Sequence, residues 1–224
     1  MRTDAIYGAP PKVLGQFDFD TSEMMFWLYC PVKLPGHYLS TYPDSLKKFA
    51  VLTTEVRRDF IDTYGLQRWS DSYVYLSAKT MFVSPGNPGN RLGWHSDGFL
   101  TDDVNYIWAD KNPTLFFLSP TGLQFTADHD IALQEMATAC CKCFPAIDEE
   151  VVTYPEKTLL RLDQTVLHAV NPDVQAGVRT FLKVSISDRP YVLKGNSINH
   201  ELPDHPRPTE DRQVARNCPR GIAA

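Results

Sequence analysis

Six histidines are spread along the chain, and two of them sit where their chemistry stands out. His95 stands two residues before Asp97, in the run Gly93-Trp94-His95-Ser96-Asp97-Gly98. At a strand end, residues i and i+2 share a side, so one imidazole and one carboxylate converge there. His168 lies far downstream in an apolar, strand-like run, and Arg179 opens the next such run. Two imidazoles and one carboxylate on one face of an iron leave three coordination positions open, enough for a bidentate co-substrate and O₂. An arginine on the neighbouring strand offers a planar fork for the far carboxylate of a dicarboxylate. His-x-Asp alone is a weak signal, arising by chance in roughly every second sequence of this make-up. The four residues in this order and setting are a stronger one.

The elements that must position these residues are legible in outline. Aromatic and β-branched runs at 13–20 and 24–30 predict strands. Pro43-Asp44-Ser45 starts a helix whose apolar residues recur at helical spacing until Tyr64-Gly65. A second helix is expected over about 130–143, with Asp128 or Asp130 as its N-cap; His129 stands where it begins and is no more than a marginal ligand candidate. Short β-type runs follow at 72–83, 105–109, 114–119, 150–154, 158–162, 165–170 and 179–187, separated by Pro/Gly turns such as 84–90. Many short strands with flanking helices predict a sandwich or barrel. One domain over 1–202 is expected, with its β core at about 72–187 and the 13–64 segment packed on it. Residues 203–224 read as a surface-hugging or disordered C-terminal tail. His37, His200 and His205, in loop or tail, have no partner spacing.

Composition narrows the classes. With 224 residues, 43% hydrophobic and 12% aromatic, the chain has the material for a sizeable core without disulfides. The net charge of −5 argues against broad binding to a phosphate backbone, so a nucleobase or nucleic-acid substrate has no support from charge. No apolar run approaches a membrane span, and the start lacks the apolar core of a signal peptide; a cytoplasmic protein is expected. The five cysteines, including Cys140, Cys141 and Cys143 at the end of the second helix, are expected to be inert thiols in a reducing compartment.

His95-Ser96-Asp97, then His168, then Arg179 resembles the signature of the Fe(II)- and 2-oxoglutarate-dependent oxygenases. The resemblance covers about 72–187. It implies a double-stranded β-helix, a jelly-roll or cupin-like core of two antiparallel sheets with helices on one side. It implies Fe(II) on His95, Asp97 and His168, 2-oxoglutarate held by the metal and Arg179, and O₂ as oxidant. The activity it implies is a dioxygenase that hydroxylates a C–H bond while 2-oxoglutarate becomes succinate and CO₂. Asp97, where the halogenating branch has Gly or Ala, favours hydroxylation.

Two other readings stay open. A cupin-type metalloenzyme that does not use 2-oxoglutarate would share the barrel but have no use for Arg179. A β-sandwich binding module would hold the four residues by coincidence. Asp163 or Gln164 is a candidate to orient an imidazole, and Thr180 or Ser185 to complete the co-substrate pocket; by alternation Phe181 and Lys183 share the face of Arg179. Loops 84–92 and 98–103 flank the His-x-Asp and form the expected mouth. There Arg91 and Trp94 pair a cation with a stacking surface, which suits a small anionic or planar substrate. Tyr106 and Trp108, two apart on one strand, face either pocket or core.

Overall fold

The computed structural model describes residues 2–140 and 150–211. Among the described residues, ten strands form two antiparallel sheets. The large sheet contains β1 (Lys12–Gln16), β2 (Met25–Lys33), β3 (Tyr73–Val83), β5 (Val104–Ala109), β8 (Thr158–Leu162) and β10 (Gly177–Ser187), in the order β1-β8-β5-β10-β3-β2. The small sheet orders β4 (His95–Ser96), β9 (Leu167–Ala169), β6 (Leu115–Leu118) and β7 (Glu150–Thr153) as β4-β9-β6-β7. From β3 to β10 the chain winds between the sheets, giving four strands to each. That winding is a double-stranded β-helix, as the resemblance implied.

Alternation along each strand sorts the side chains into layers. The outer face of the large sheet presents Leu76, Ala78, Tyr106, Trp108, Leu182 and Val184. A 3-10 turn (Asp44–Phe49), α1 (Ala50–Tyr64) and α2 (Leu66–Asp71) cover it with Phe49, Leu52, Val56, Phe60 and Trp69. Tyr106 and Trp108 are therefore core residues of this layer: the Tyr106 hydroxyl donates to Asp59 and the Trp108 indole N–H to the Phe17 carbonyl. The outer face of the small sheet is covered by α3 (His129–Ala139) and the N-terminal segment, with Phe117, Phe125, Met136 and Tyr7 in its core. Between the sheets lies a third, smaller apolar group of Ile107, Phe116, Leu160, Leu162 and Val166. The rest of that inner space is polar, and the metal-binding candidates are there.

Several boundaries differ from those expected. β1 stops at Gln16, and Phe17 and Phe19 continue as an aromatic stack, Phe19 meeting the Trp108 ring at 5.1 Å. β2 runs on through Pro31, which an edge strand tolerates because it needs no further ladder donor. α2 restarts the chain after Gly65, whose φ of 91° breaks α1. The described part of the tail, expected to be surface-hugging or disordered, packs against the fold. His205 is buried, its ring against Tyr75 with Tyr75 Oη and His205 Nε2 2.9 Å apart, and Lys194 and Thr209 N–H groups close backbone bonds around residues 192–210. Its partner lies on β3, out of reach of any local pattern. Cys30 and Cys140 are buried thiols, whereas Cys141 and Cys143 fall outside the described residues. No helix among the described residues is long and apolar enough to cross a membrane.

Asp128 is the N-cap of α3, its carboxylate accepting the N–H groups of Asp130 and Ile131 at 3.0 Å. Asp128→Ala should cost about 1 kcal/mol of stability, measurable by urea unfolding, without changing metal affinity.

Candidate metal centre

β4 and β9 are adjacent, and their register places His95 directly opposite His168. The two imidazole rings are 4.4 Å apart between centroids. Asp97 follows β4 immediately and returns to the same side, with its Oδ2 3.4 Å from His168 Nε2. Gly98 makes that return feasible: its φ is +73°, and a Cβ there would stand 3.0 Å from the Asp103 Cβ. One ligand atom from each of His95, Asp97 and His168 lies within 4.8 Å of the others, a set spaced for a single metal ion.

The imidazoles are oriented by backbone carbonyls rather than by the side chains expected. His95 Nδ1 lies 2.9 Å from the Gly93 carbonyl, and His168 Nδ1 lies 3.3 Å from the Val166 carbonyl. A protonated Nδ1 in each case leaves Nε2 as the metal-facing atom. Asp163 instead closes a turn on Thr165, and Gln164 offers its main-chain carbonyl to the Ser96 hydroxyl. Burial, reinforced by the neighbouring His168, pushes His95 down to about 4, so its ring is neutral at physiological pH. Burial alone would raise Asp97; the Lys183 ammonium and the His168 ring outweigh it and hold the carboxyl well below its usual range. Neutral imidazoles and an ionised carboxylate are what a divalent ion requires.

Three cations share the inner face of β3 and β10. Arg179, opposite Met81 in the ladder, is 2% exposed. Its Nε donates to the Lys111 carbonyl at 2.9 Å, but its Nη2 is buried with no hydrogen-bond partner. Burial lowers Arg179 to about 10, with Asp110 opposing, so it stays charged at neutral pH. Lys183 holds Asp97 Oδ2 at 2.5 Å. Lys79, opposite Phe181, donates to the Gly89 carbonyl and the Asn90 side chain. Gly89 is needed there: its φ is +77°, and a Cβ would lie 2.9 Å from Val83 Cγ1. Neither lysine was assigned a role from sequence. A lysine at an inward position of a long strand was the available signal, because lysine is almost never buried without a partner.

Burial, then the neighbouring Arg179 and Lys183, lower Lys79 from 10.5 to about 8. Between those values the unfolded chain binds more protons than the folded one. Folding is therefore favoured as pH rises from 8 towards 10.5, and below 8 the full cost of burying the ammonium is borne. Lys33, also lowered to about 8 by burial, adds to the same window. Lys79→Met should raise the Tm at pH 7 by a few degrees and flatten its rise between pH 8 and 10. Thermal melts across that range are the measurement.

The remaining expected residues are placed as follows. Ser185 faces inward and donates to Asn105 at 2.7 Å. Thr180 faces the other side, its hydroxyl 2.9 Å from that of Thr80. Trp94, one residue from His95, turns to the outer face of the small sheet with its ring 6.0 Å from Phe117. Arg91 is exposed in the loop between β3 and β4. His129 packs edge-on against Phe99 at 5.6 Å in the core under α3 and is not one of the three clustered ligands. An open cleft lined by Tyr64, Arg68, Asp102 and Asp188 takes in none of the triad residues.

No protein-family model matches the chain. No curated protein matches it either. Among solved structures, the crystal structure of EvdO2 from Micromonospora carbonacea var. aurantiaca is similar over 63% of this chain and 64% of its own, at 10% identity and a TM-score of 0.34. The same protein complexed with 2-oxoglutarate is similar over 63% and 65%, at 10% identity and a TM-score of 0.32. The chain thus spans just under two thirds of those structures. The chain resembles the Fe(II)- and 2-oxoglutarate-dependent oxygenases in its sheet topology and in the triad of His95, Asp97 and His168.

Proposed function

We propose that this chain is a non-haem Fe(II) dioxygenase that couples oxidative decarboxylation of 2-oxoglutarate to hydroxylation of a C–H bond in a small polar or planar molecule. The observation that carries the reading is the pairing of a clustered His95-Asp97-His168 set with a buried guanidinium whose Nη2 has no partner. A buried donor left unmet is costly, and an incoming carboxylate is the group that meets it. A metalloenzyme with no oxo-acid co-substrate would have no use for that donor.

The donor set fits Fe(II): two imidazole nitrogens and one carboxylate oxygen, which would leave positions for other ligands. When bound, the iron supplies the activation of O₂ and the oxidising power for the C–H bond. The residues do the rest. His95 and His168, pinned by the Gly93 and Val166 carbonyls, fix the face at which ligands arrive. Arg179 binds the distal carboxylate of 2-oxoglutarate, and Lys79, flanking the same Phe181 ring at 5.6 Å, adds a second positive charge. Phe116, Phe181 and Ile107 keep water from the apolar end of the inner space. A cytoplasmic setting suits both Fe(II) and the buried thiols of Cys30 and Cys140.

Arg91, in the loop that leads into β4, is assigned to the substrate's polar or anionic group. Trp94 serves that loop by anchoring it on Phe117. The test is a screen of small carboxylates, phosphates and planar heterocycles, read by succinate release with Fe(II), 2-oxoglutarate and O₂. With a substrate in hand, Arg91→Ala should lower its turnover roughly tenfold or more while leaving iron and 2-oxoglutarate affinities unchanged, as loss of one charged contact would. Normal turnover in that variant would place the entrance on another loop.

A further inference from the structure

We propose that Lys183 is a positioning residue of the metal centre that couples metal binding to binding of the anionic co-substrate; this rests on the oxygenase reading. Its ammonium is 2.5 Å from Asp97 Oδ2, the same oxygen that lies 3.4 Å from His168 Nε2. Among the described residues, Asp97 is the one carboxylate within ion-pair distance of Lys183. The fold fixes this arrangement. Lys183 sits mid-strand in β10, between Ser77 on β3 and Ile107 on β5, with its ammonium 5.6 Å from the Tyr29 ring. Tyr29 itself has a φ of 46°, a conformation costly for a tyrosine, where the β2 register shifts between Trp27 and Cys30. That bulge aims the ring at Lys183.

Two consequences follow from a fixed ammonium on that oxygen. Each carboxylate oxygen has two lone-pair sites, and the ammonium takes one of them on Oδ2. Chelation of a metal through both oxygens is thereby disfavoured, so Asp97 binds through a single oxygen and three positions stay open. The second consequence is electrostatic. A divalent ion on this triad gains a like-charged neighbour a few ångströms away, in a site where repulsion is several times stronger than in water. Arg179 and Lys79 share the inner face, so before any ligand arrives three cations stand against Asp97. Asp110 and Asp103 act on Arg179 and Lys183 only as longer-range charges. A dianionic oxo acid relieves that repulsion. Metal and oxo acid then tighten each other by the same factor, as linkage requires, and Lys183 supplies part of that factor without touching a reacting atom.

The test uses Co(II) as an anaerobic probe, titrated calorimetrically with and without 2-oxoglutarate, with the Co(II) visible bands recorded at each stage. Lys183→Met, similar in length but uncharged, should bind Co(II) about tenfold more tightly than the wild type when no oxo acid is present. The tightening caused by 2-oxoglutarate should shrink by a similar factor, and the Co(II) bands should change as Asp97 gains a second bond. Lys183→Gln should move in the same direction, while Lys183→Arg should keep the wild-type pattern. If Lys183→Met and Lys183→Gln, with native far-UV circular dichroism, bind Co(II) no more tightly than wild type, Lys183 is an ordinary structural ion pair and the proposal is wrong. If the wild type couples and Lys183→Met couples equally, the role of Lys183 falls and the oxygenase reading stands. If 2-oxoglutarate leaves Co(II) affinity in the wild type unchanged, the oxygenase reading itself fails, and the coupling with it.

Discussion

His168→Ala should weaken binding of Fe(II), or of Co(II) as its stable stand-in, by more than about a hundredfold. Loss of an outer partner to a ligand already costs 10–100-fold, and loss of the ligand itself costs more. His168 is 6% exposed and directly opposite His95, and it is held by the Val166 carbonyl, so no other imidazole among the described residues stands ready to replace it. Removing the ring leaves a void beside Phe116, whose ring centroid is 6.2 Å away, and some stability will be lost. His168→Gln, which fills the space better, separates the two effects: it should keep the fold and still fail to bind the metal tightly. Calorimetric titration of both variants, alongside their thermal melts, gives the answer. Metal affinity at wild-type strength in either variant would remove His168 from the site.

Arg179→Ala should raise the 2-oxoglutarate requirement by roughly a hundredfold or more. Truncating one partner of a buried charge pair typically costs 3–5 kcal/mol, and each factor of ten in affinity is about 1.4 kcal/mol. The ligand-free protein should respond in the opposite sense from a structural salt bridge. Arg179 has a single neutral acceptor, the Lys111 carbonyl, and an unmet Nη2, so its loss should cost little stability and leave the Tm within a few degrees of wild type. A structural arginine would show the reverse, with a large drop in Tm and an unchanged 2-oxoglutarate requirement. Binding titrations and melts on the same samples decide between them.

The residues proposed to carry the chemistry were readable because their types are rare and their spacing is local. His95 and Asp97 need only the two-residue period of a strand end, and His168 and Arg179 stand out against apolar surroundings. Most strands were readable for the same reason: the 72–83 and 179–187 runs appear almost unchanged as β3 and β10. What escaped depends on distant partners. β4 has two residues, too few to show any period, and exists because β9 pairs with it. Lys79 looks like a surface residue by type, and although alternation puts Lys183 on the face of Arg179, its partner Asp97 lies beyond β4, out of reach of any local pattern. The imidazole supports are main-chain carbonyls, which no side-chain pattern reveals. His205 was set aside for want of a local partner, and its partner, Tyr75, lies on β3.

The central claim is that one Fe(II) and one 2-oxoglutarate meet between the two sheets, held by His95, Asp97, His168 and Arg179. The most direct measurement is an anaerobic titration of the metal-free protein, first with Fe(II) and then with 2-oxoglutarate, followed by calorimetry and visible absorption. The expected result is one iron per chain, then one 2-oxoglutarate that binds tightly only after the iron and adds a visible charge-transfer band as its keto acid chelates the metal. Failure to bind iron stoichiometrically, or binding of 2-oxoglutarate that is indifferent to iron, would contradict it.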